Sequence, residues 1–152
     1  MEFESRQAAL CVIVRKDKFL VTELIDVQSA LTLHRPPGGG VEAGETPENA
    51  VRRELQEELR VSLTTLRSLG AVDHVWFWKG RKVSERAWLF LANASDDSRL
   101  QRGESPTVVE ANGERLPTIW RPIDAPAAAF PPLCPSALVE MLKRLAREGL
   151  GF

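Results

Sequence analysis

The stretch RPPGGGVEAGETPENAVRRELQEELRV, residues 35–61, decides how this chain of 152 residues is interpreted. It places two prolines and three consecutive glycines directly before a segment that is rich in glutamate. Thr46 has the chemistry of a helix N-cap, and Pro47 occupies the first helical position, where its missing N–H costs nothing. This pattern predicts a helix from Pro47 to about Arg60. Its buried side is predicted from apolar residues spaced four apart, which are Val51, Leu55 and Leu59.

Three carboxylates share one face of the predicted helix, because Glu54, Glu57 and Glu58 are spaced at i, i+3 and i+4. Like charges this close ionise reluctantly unless a cation neutralises them. Mg²⁺ and Mn²⁺ prefer oxygen ligands, and the glycines at 38–40 allow the backbone to approach a metal or a phosphate closely. The alternative is an ordinary solvated face, since glutamate is a strong helix former. A solvated face needs no glycine loop before it, so we favour a metal site.

The same stretch resembles the signature of the Nudix hydrolase family. That signature runs from a glycine through a loop glutamate to an Arg-Glu pair, a Glu-Glu pair and a final aliphatic residue. The matching residues here are Gly39, Glu45, Arg53, Glu54, Leu55, Glu57, Glu58 and Val61. One position departs, because Arg60 stands where the family has a glycine that ends the helix in a left-handed conformation. A side chain there costs about 1 kcal/mol.

The resemblance implies a single Nudix domain over residues 1–152, with an α/β fold of the α+β kind. The family fold is an α/β/α sandwich around a mixed β-sheet. The implied activity is metal-dependent hydrolysis of a phosphoanhydride bond in a nucleoside diphosphate derivative. Candidate substrates are a nucleoside triphosphate, a nucleotide sugar and ADP-ribose. The implied cofactor is Mg²⁺, with Mn²⁺ as the alternative.

The resemblance also assigns roles within the signature. Glu54, Glu57 and Glu58 become metal ligands, with one of them as the candidate base, and Gly38 offers its carbonyl to a metal. Arg53 orients Glu45 through a charge-assisted hydrogen bond. Many family members add a glutamate from a distal loop. The candidates here are Glu104, Glu110 and Glu114, and we favour Glu114 because it lies just before the last predicted strand.

Substrate contacts are predicted on both sides of the signature. Trp76 and Trp78 share one face of a predicted strand, where an indole can stack on a base. The alternative is that these tryptophans belong to the core or to a dimer interface. Arg35 is a candidate phosphate contact beside the glycines, the alternative being a surface arginine. The substrate-binding predictions are Arg35, Gly39, Gly40, Trp76 and Trp78.

Composition excludes several other classes of function. The net charge is −1, without the basic excess of a general nucleic-acid or membrane-surface binder. Cys11 and Cys134 have no CxxC spacing, so we expect no zinc site, no disulfide and a cytoplasmic location. No signal peptide or membrane span is predicted.

We expect a small nucleotide as the binding partner and no nucleic-acid polymer. Because dimers are frequent in the family, a homodimer stays open.

Two alternative functions remain on the same fold. An isoprenoid diphosphate isomerase needs a catalytic cysteine, and Cys11 lies in an apolar predicted strand. A non-catalytic nucleotide-binding module would be expected to lose the acidic residues of the signature, which this chain retains. The substrate stays open, because the downstream markers of family subtypes are missing. A downstream tyrosine, for example, marks hydrolases of dinucleoside polyphosphates, and this chain has no tyrosine.

The rest of the chain predicts strands and one further helix. Two hairpins are expected, one around RKDK and one around KGRK, with LTLH as a separate strand and LPTIWRPI as the last strand. The prolines and glycines after LTLH predict a loop to about Glu45. Residues 93–113 predict a functional or disordered loop. An amphipathic helix is expected over SALVEMLKRLAREG, ended by Gly149.

Overall fold

The structure is a computed structural model that describes residues 2–125 and 127–149. The described strands are β1 (Glu2–Arg15), β2 (Lys18–Asp26), β3 (Leu31–Arg35), β4 (Gly38–Gly40), β5 (Arg67–Trp78), β6 (Arg81–Asn93), β7 (Val108–Val109), β8 (Arg115–Leu116) and β9 (Thr118–Pro122). The described helices are α1 (Pro47–Leu59), α2 (Ser98–Gln101) and α3 (Leu138–Arg147). Within the described ranges, no helix is long and apolar enough to cross a membrane.

A large mixed sheet forms the centre of the molecule, with the strand order β3-β2-β1-β6-β5. β1 and β6 run parallel, whereas β5 pairs with β6 and β2 pairs with β1 in antiparallel fashion. β4 pairs with β1 and β9 pairs with β2, while β7 and β8 form a separate small hairpin. The predicted hairpins and the mixed sheet are therefore confirmed.

Both faces of the sheet are buried, because β1 alternates apolar residues toward two cores. Ala9, Cys11 and Ile13 pack with the apolar side of α1. Leu10 and Val12 on the other face pack with α3, through residues that include Leu138 and Leu142. The expected α/β/α sandwich is confirmed, and α1 is fixed against the sheet by its apolar stripe.

Helix α1 begins and ends as the sequence predicts. The Thr46 hydroxyl accepts a hydrogen bond of 3.1 Å from the Asn49 N–H, which completes the N-cap. The helix ends at Leu59, and Arg60 adopts the left-handed conformation with φ +57° and ψ +39°. The Arg60 N–H donates to the Gln56 carbonyl at 3.1 Å. The replacement of glycine by arginine therefore leaves the helix terminus in the conformation that normally favours glycine.

Two segments predicted as loops contain regular structure. The glycines of β4 pair with Ala8–Leu10 on the edge of β1, where unpaired backbone groups are available. The prediction that serial glycines would not sustain a ladder was wrong at this position. The segment 93–113 folds into α2 and β7, and Asp97 caps α2 by accepting hydrogen bonds from the Arg99 and Leu100 N–H groups. This segment is an ordered connection.

Candidate active site

A cavity of about 770 Å³ brings most of the predicted site residues together. One wall consists of four glutamates and is called here the acidic wall: Glu54, Glu57, Glu58 and Glu110. A second wall comes from β5 and is called the aromatic wall: Trp76 and Trp78. The glycines of β4 lie in the same cavity, together with the predicted residues Arg35 and Arg53. The cavity is therefore assembled from strands β1–β5 and β7, helix α1 and the segment after β7.

Arg53 holds the loop before α1 against the helix. Its guanidinium donates to both carboxylate oxygens of Glu45, at 2.7 and 2.9 Å, and to the Gly40 carbonyl at 3.0 Å. Its remaining terminal nitrogen, Nη1, donates to Glu54 at 3.0 Å and to Glu57 at 3.3 Å. The hydrogen bonds from Arg53, and then the Glu42 N–H, lower the pKa of Glu45 to about 2. Arg53 and Glu45 thus make the charge-assisted contact that the sequence predicts.

Two of the three β4 glycines, Gly38 and Gly39, lie in close contact with other segments. A Cβ atom on Gly38 would lie 2.0 Å from the Ala9 carbonyl oxygen, and Gly38 has a φ of +144°. A Cβ atom on Gly39 would lie 2.5 Å from the carboxylate carbon of Glu54. A side chain at position 39 would therefore push the Glu54 carboxylate away from the β4 backbone, whereas glycine lets it lie directly on that backbone.

Carboxyl groups are crowded at the inner part of the acidic wall. Burial, then the charge of Glu110 and the contact with Glu54, together raise the pKa of Glu58 to about 9. Burial also raises the pKa of Glu110, and the Glu54 charge adds to this effect. Carboxyl groups crowded in this way are stabilised in their ionised form by a cation.

The structure places Glu110 in the cavity and leaves Glu114 and Glu104 outside it. Glu114 is exposed, and Glu104 forms an ion pair of 2.6 Å with Arg102. Glu110 lies two residues after Val108, which is buried beneath α1, so its side chain faces the same way. Our preference for Glu114 as the distal acid is therefore replaced by Glu110. In the stretch TVVE, residues 107–110, the apolar residue two positions before the glutamate is the sequence signal that distinguishes Glu110 from Glu114.

The acidic wall offers the oxygen donors that a hard divalent cation prefers. Within the described part of the chain, no three acidic, histidine or cysteine side chains converge closely enough to hold an ion as they stand. Two of the candidate ligands, Glu54 and Glu57, instead contact Arg53. Glu57 has a side chain that is 59% exposed, so it is free to change rotamer. The donor set fits Mg²⁺ or Mn²⁺, and binding requires these side chains to rearrange.

Arg35 has a different environment from the one predicted. It is buried, and its terminal nitrogen Nη2 donates to both oxygens of Glu85 at 2.7 and 2.8 Å. Its guanidinium carbon lies 4.6 Å from the centre of the Trp76 ring, within the range of a cation–π contact. Because its charge is neutralised by a buried carboxylate, Arg35 supports the aromatic wall and is not a free phosphate contact.

Glu85 lies behind the cavity and contacts two of its lining residues, Arg6 and Arg35, a position that the sequence pattern does not indicate. It is buried on β6 and contacts three side chains from different strands: Arg35 on β3, His74 on β5 and Arg6 on β1. Burial raises its pKa, but the His74 hydrogen bond and the charges of Arg35 and Arg6 outweigh burial and lower the pKa to about 2. A lone glutamate in a strand gives no signal of such contacts, since its partners are distant in sequence.

The two tryptophans of the aromatic wall lie side by side on β5. Their ring centres are 6.1 Å apart, with an angle of 31° between the ring planes. Both are partly exposed and line the cavity, so they are neither core residues nor simply surface residues. The cavity therefore joins an acidic wall to an aromatic wall, an arrangement suited to a ligand with a charged group and a flat ring.

Comparison with known proteins agrees with this arrangement. The family model described as NUDIX domain matches residues 4–135, and the chain therefore belongs to the Nudix family. A MutT NUDIX hydrolase from Burkholderia pseudomallei is 27% identical, with a TM-score of 0.63 over 90% of this chain and 97% of that chain. A crystal structure of an ADP compounds hydrolase shares the fold, with 20% identity and a TM-score of 0.60 over 96% of this chain and 75% of the other.

Curated proteins similar to this chain include RNA pyrophosphohydrolases. The protein of that name from Photobacterium profundum is 33% identical over 102 residues, which cover 57% of this chain and 56% of the relative. The one from Aliivibrio fischeri strain MJ11 is 32% identical over 57% of this chain and 58% of the relative. The chain thus matches somewhat more than half the length of these curated relatives.

Proposed function

We propose that this chain is a divalent-metal-dependent diphosphatase that hydrolyses a phosphoanhydride bond in a nucleoside diphosphate derivative. The observation that carries the proposal is the shared cavity of the acidic wall, the β4 glycines and the aromatic wall. The acidic wall suits a metal–phosphate group, and the aromatic wall suits the base of a nucleotide. Nucleoside triphosphates, nucleotide sugars and ADP-ribose remain the candidate substrates.

The proposed ligands of Mg²⁺ or Mn²⁺ are Glu54, Glu57, Glu58, Glu110 and the Gly38 carbonyl. When bound, the metal would polarise the phosphate oxygens and lower the pKa of the attacking water. Arg53 acts as a positioning residue, because it fixes Glu45 and the Gly40 carbonyl while holding Glu54 on the helix. The base that accepts the water proton is one of the acidic-wall glutamates, and Glu110 is our candidate since it comes from a separate segment.

A second candidate function is removal of pyrophosphate from RNA. The names of the curated relatives favour it, although the matched region covers little more than half of those proteins. The net charge of −1 argues against it, because phosphate-rich polymers are usually bound by basic surfaces. We therefore keep a small nucleotide as the proposed substrate, and we propose a cytoplasmic location on the same grounds as before.

The isomerase alternative loses support from the position of the cysteines. Cys11 is buried in β1 between the sheet and α1, and burial raises the pKa of its thiol well above the usual range. Cys134 is also buried, and neither cysteine lines the cavity. A thiol in these places does not reach a ligand on the acidic wall.

The test is release of phosphate or nucleotide from a panel of substrates, with Mg²⁺, with Mn²⁺ and with a chelator. The panel contains nucleoside triphosphates, sugar nucleotides, ADP-ribose, dinucleoside polyphosphates and a 5′-triphosphorylated RNA oligonucleotide. We expect metal-dependent turnover of one small-nucleotide class. Turnover of the oligonucleotide alone would establish the second candidate. No turnover, with nucleotides still raising the melting temperature, would indicate a binding module.

A further inference from the structure

Arg6 is a cavity residue that the sequence analysis did not assign. It lies on β1 directly opposite Glu85 on β6, and its side chain lines the cavity beside the aromatic wall. The Nε atom lies 3.0 Å from Glu85 Oε2, while the side chain as a whole keeps 33% of its surface exposed. Arg6 is therefore anchored at its inner nitrogen and open at its outer end.

Hydrogen-bond donors exceed acceptors around this anchor. Glu85 supplies one carboxylate, which already accepts hydrogen bonds from Arg35 and His74. Arg6 Nε is close to Glu85 but is not aligned for a hydrogen bond, and Trp76 Nε1 is buried without an acceptor. Among the described residues, the two terminal nitrogens of Arg6 also form no hydrogen bond. Because the Arg6 side chain is partly exposed while Nε is buried, its terminal nitrogens are the donors that a ligand can reach, and such a ligand must present acceptors to them.

The charge balance favours a neutral acceptor over a phosphate. Arg6 and Arg35 contribute two positive charges and Glu85 removes one, so the group carries about one excess charge. A phosphate carries more charge than this and is normally bound by several cations or by backbone N–H groups. A flat ring with acceptors on its edge needs instead a stacking surface and a directed pair of donors, which the aromatic wall and the guanidinium of Arg6 provide.

We propose that Arg6, Trp76 and Trp78 form a base subsite that selects guanine. Guanine presents two adjacent acceptors, O6 and N7, which match the paired donors of a guanidinium. Adenine presents N7 beside an amino group, so its edge would set a donor against the donors of Arg6. The inference rests on the proposed function, because it names the base of the nucleotide that the acidic wall would hydrolyse.

Binding without turnover tests this directly. Calorimetry with GDP and with ADP, in the presence of a chelator, measures base preference independently of metal chemistry. We expect the wild-type protein to bind GDP about tenfold or more tightly than ADP. The variant Arg6→Lys keeps the charge but loses the paired donors, and we expect its preference to fall to less than about threefold. Arg86→Lys is the matched control, because Arg86 neighbours Glu85 on β6 but does not line this cavity.

Each outcome of this experiment decides the inference. Equal binding of GDP and ADP by the wild type, or no binding of either, overturns it. A preference that survives in Arg6→Lys removes Arg6 from the subsite. If Arg6→Gln weakens both nucleotides equally and Arg6→Lys weakens neither, Arg6 binds phosphate and the inference is wrong. Hydrolysis of several nucleotides without base preference would leave the proposed function intact while overturning the subsite.

Melting temperatures of the three variants show whether they remain folded. Arg35 and His74 still contact Glu85 when Arg6 is replaced, so its buried charge keeps two partners. A measurement on GTP and ATP hydrolysis then completes the test. We expect the ratio of kcat/KM for the two substrates to follow the binding ratio in each variant, since the base contact does not touch the reacting phosphate.

Discussion

Glu58 on α1 and Glu110 after β7 share one wall of the cavity, although they come from segments far apart in the sequence. Burial, followed by the charge of Glu110, raises the pKa of Glu58 to about 9. Two half-buried carboxylates in such contact are unfavourable unless a proton or a cation is shared between them. Their contact identifies Glu110 as a partner of the signature helix.

Glu57 is expected to be required for turnover and dispensable for folding. Glu57→Gln keeps the size of the side chain and removes the charge from a position that is 59% exposed. We expect kcat to fall about 100-fold or more, while the free energy of unfolding changes by less than about 0.5 kcal/mol. Steady-state kinetics and urea unfolding provide the two measurements.

The control for this variant is Glu48→Gln. Glu48 lies on the first turn of the same helix and does not line the cavity, so its loss should leave kcat within about twofold. A Glu57→Gln protein with a near-normal metal-dependent rate would remove Glu57 from the active site.

Glu110 and Glu114 allow a direct comparison between two acids of one hairpin. Glu110→Gln removes a carboxylate from the cavity, and we expect kcat to fall by about 100-fold. Glu114 is exposed on the other side of the turn, so Glu114→Gln should retain the wild-type rate. Parallel assays at saturating Mg²⁺ measure both. The reverse ranking would restore the assignment that the sequence favoured.

Glu85 is expected to make the free energy of unfolding depend on pH in the acid range. Its pKa is about 2 in the folded protein against an ordinary value of 4.5, so its stabilising contribution is complete above pH 4.5 and is lost as the pH falls toward 2. Glu85→Gln leaves Arg35 buried without its counter-charge, which we expect to cost about 3–5 kcal/mol at pH 7.

Urea unfolding between pH 7 and pH 3 checks this expectation. The wild-type protein should lose stability over that range, and the difference between wild type and Glu85→Gln should shrink as the pH falls. A difference that stays constant with pH would mean that the charge of Glu85 does not contribute. Asp73→Asn is a suitable control, because its ion pair with Arg86 is exposed.

Arg60 is expected to carry a small conformational cost. It holds φ at +57° at the end of α1, where glycine has no Cβ penalty. We expect Arg60→Gly to raise the free energy of unfolding by about 0.5–1 kcal/mol, partly offset by the greater freedom of glycine in the unfolded chain. Arg60→Ala retains the Cβ and should give no gain. Equal stability of all three proteins would show that the terminus is unstrained.

Structural elements that are determined by residues close together in the chain are predictable from local sequence patterns. The N-cap at Thr46 and the apolar stripe of α1 follow from chemistry within a few residues. The left-handed conformation at Arg60 corresponds to the glycine that the family has at this position. The contact between Arg53 and Glu45 also lies within one loop and one helix turn. The family resemblance adds the order of strands, and the observed mixed sheet agrees with it.

Long-range contacts are the part that local patterns leave open. The pairing of β4 with β1 depends on β2 leaving residues 8–10 of β1 unpaired on that side. The glycine sequence carries no information about that partner, so it predicted a loop. Arg35 was predicted as a phosphate contact, with a surface arginine as the alternative, because its partner Glu85 lies far along the chain and only the sheet order brings the two together. The choice between Glu110 and Glu114 depended on which face of a two-residue strand is buried, and a short strand gives a weak periodic signal.

The acidic and aromatic walls of one cavity come from different stretches of the chain, and this separation has a consequence for diversification. The proposed metal ligands lie mainly on α1, whereas the tryptophans lie on β5. β5 is an edge strand of the main sheet, while the neighbouring β6 carries core residues such as Leu89 and Leu91. Substitutions at the cavity-facing positions of β5 would therefore alter the aromatic wall while leaving the core and α1 unchanged, so this edge strand is where the binding site can diversify with the least effect on the fold.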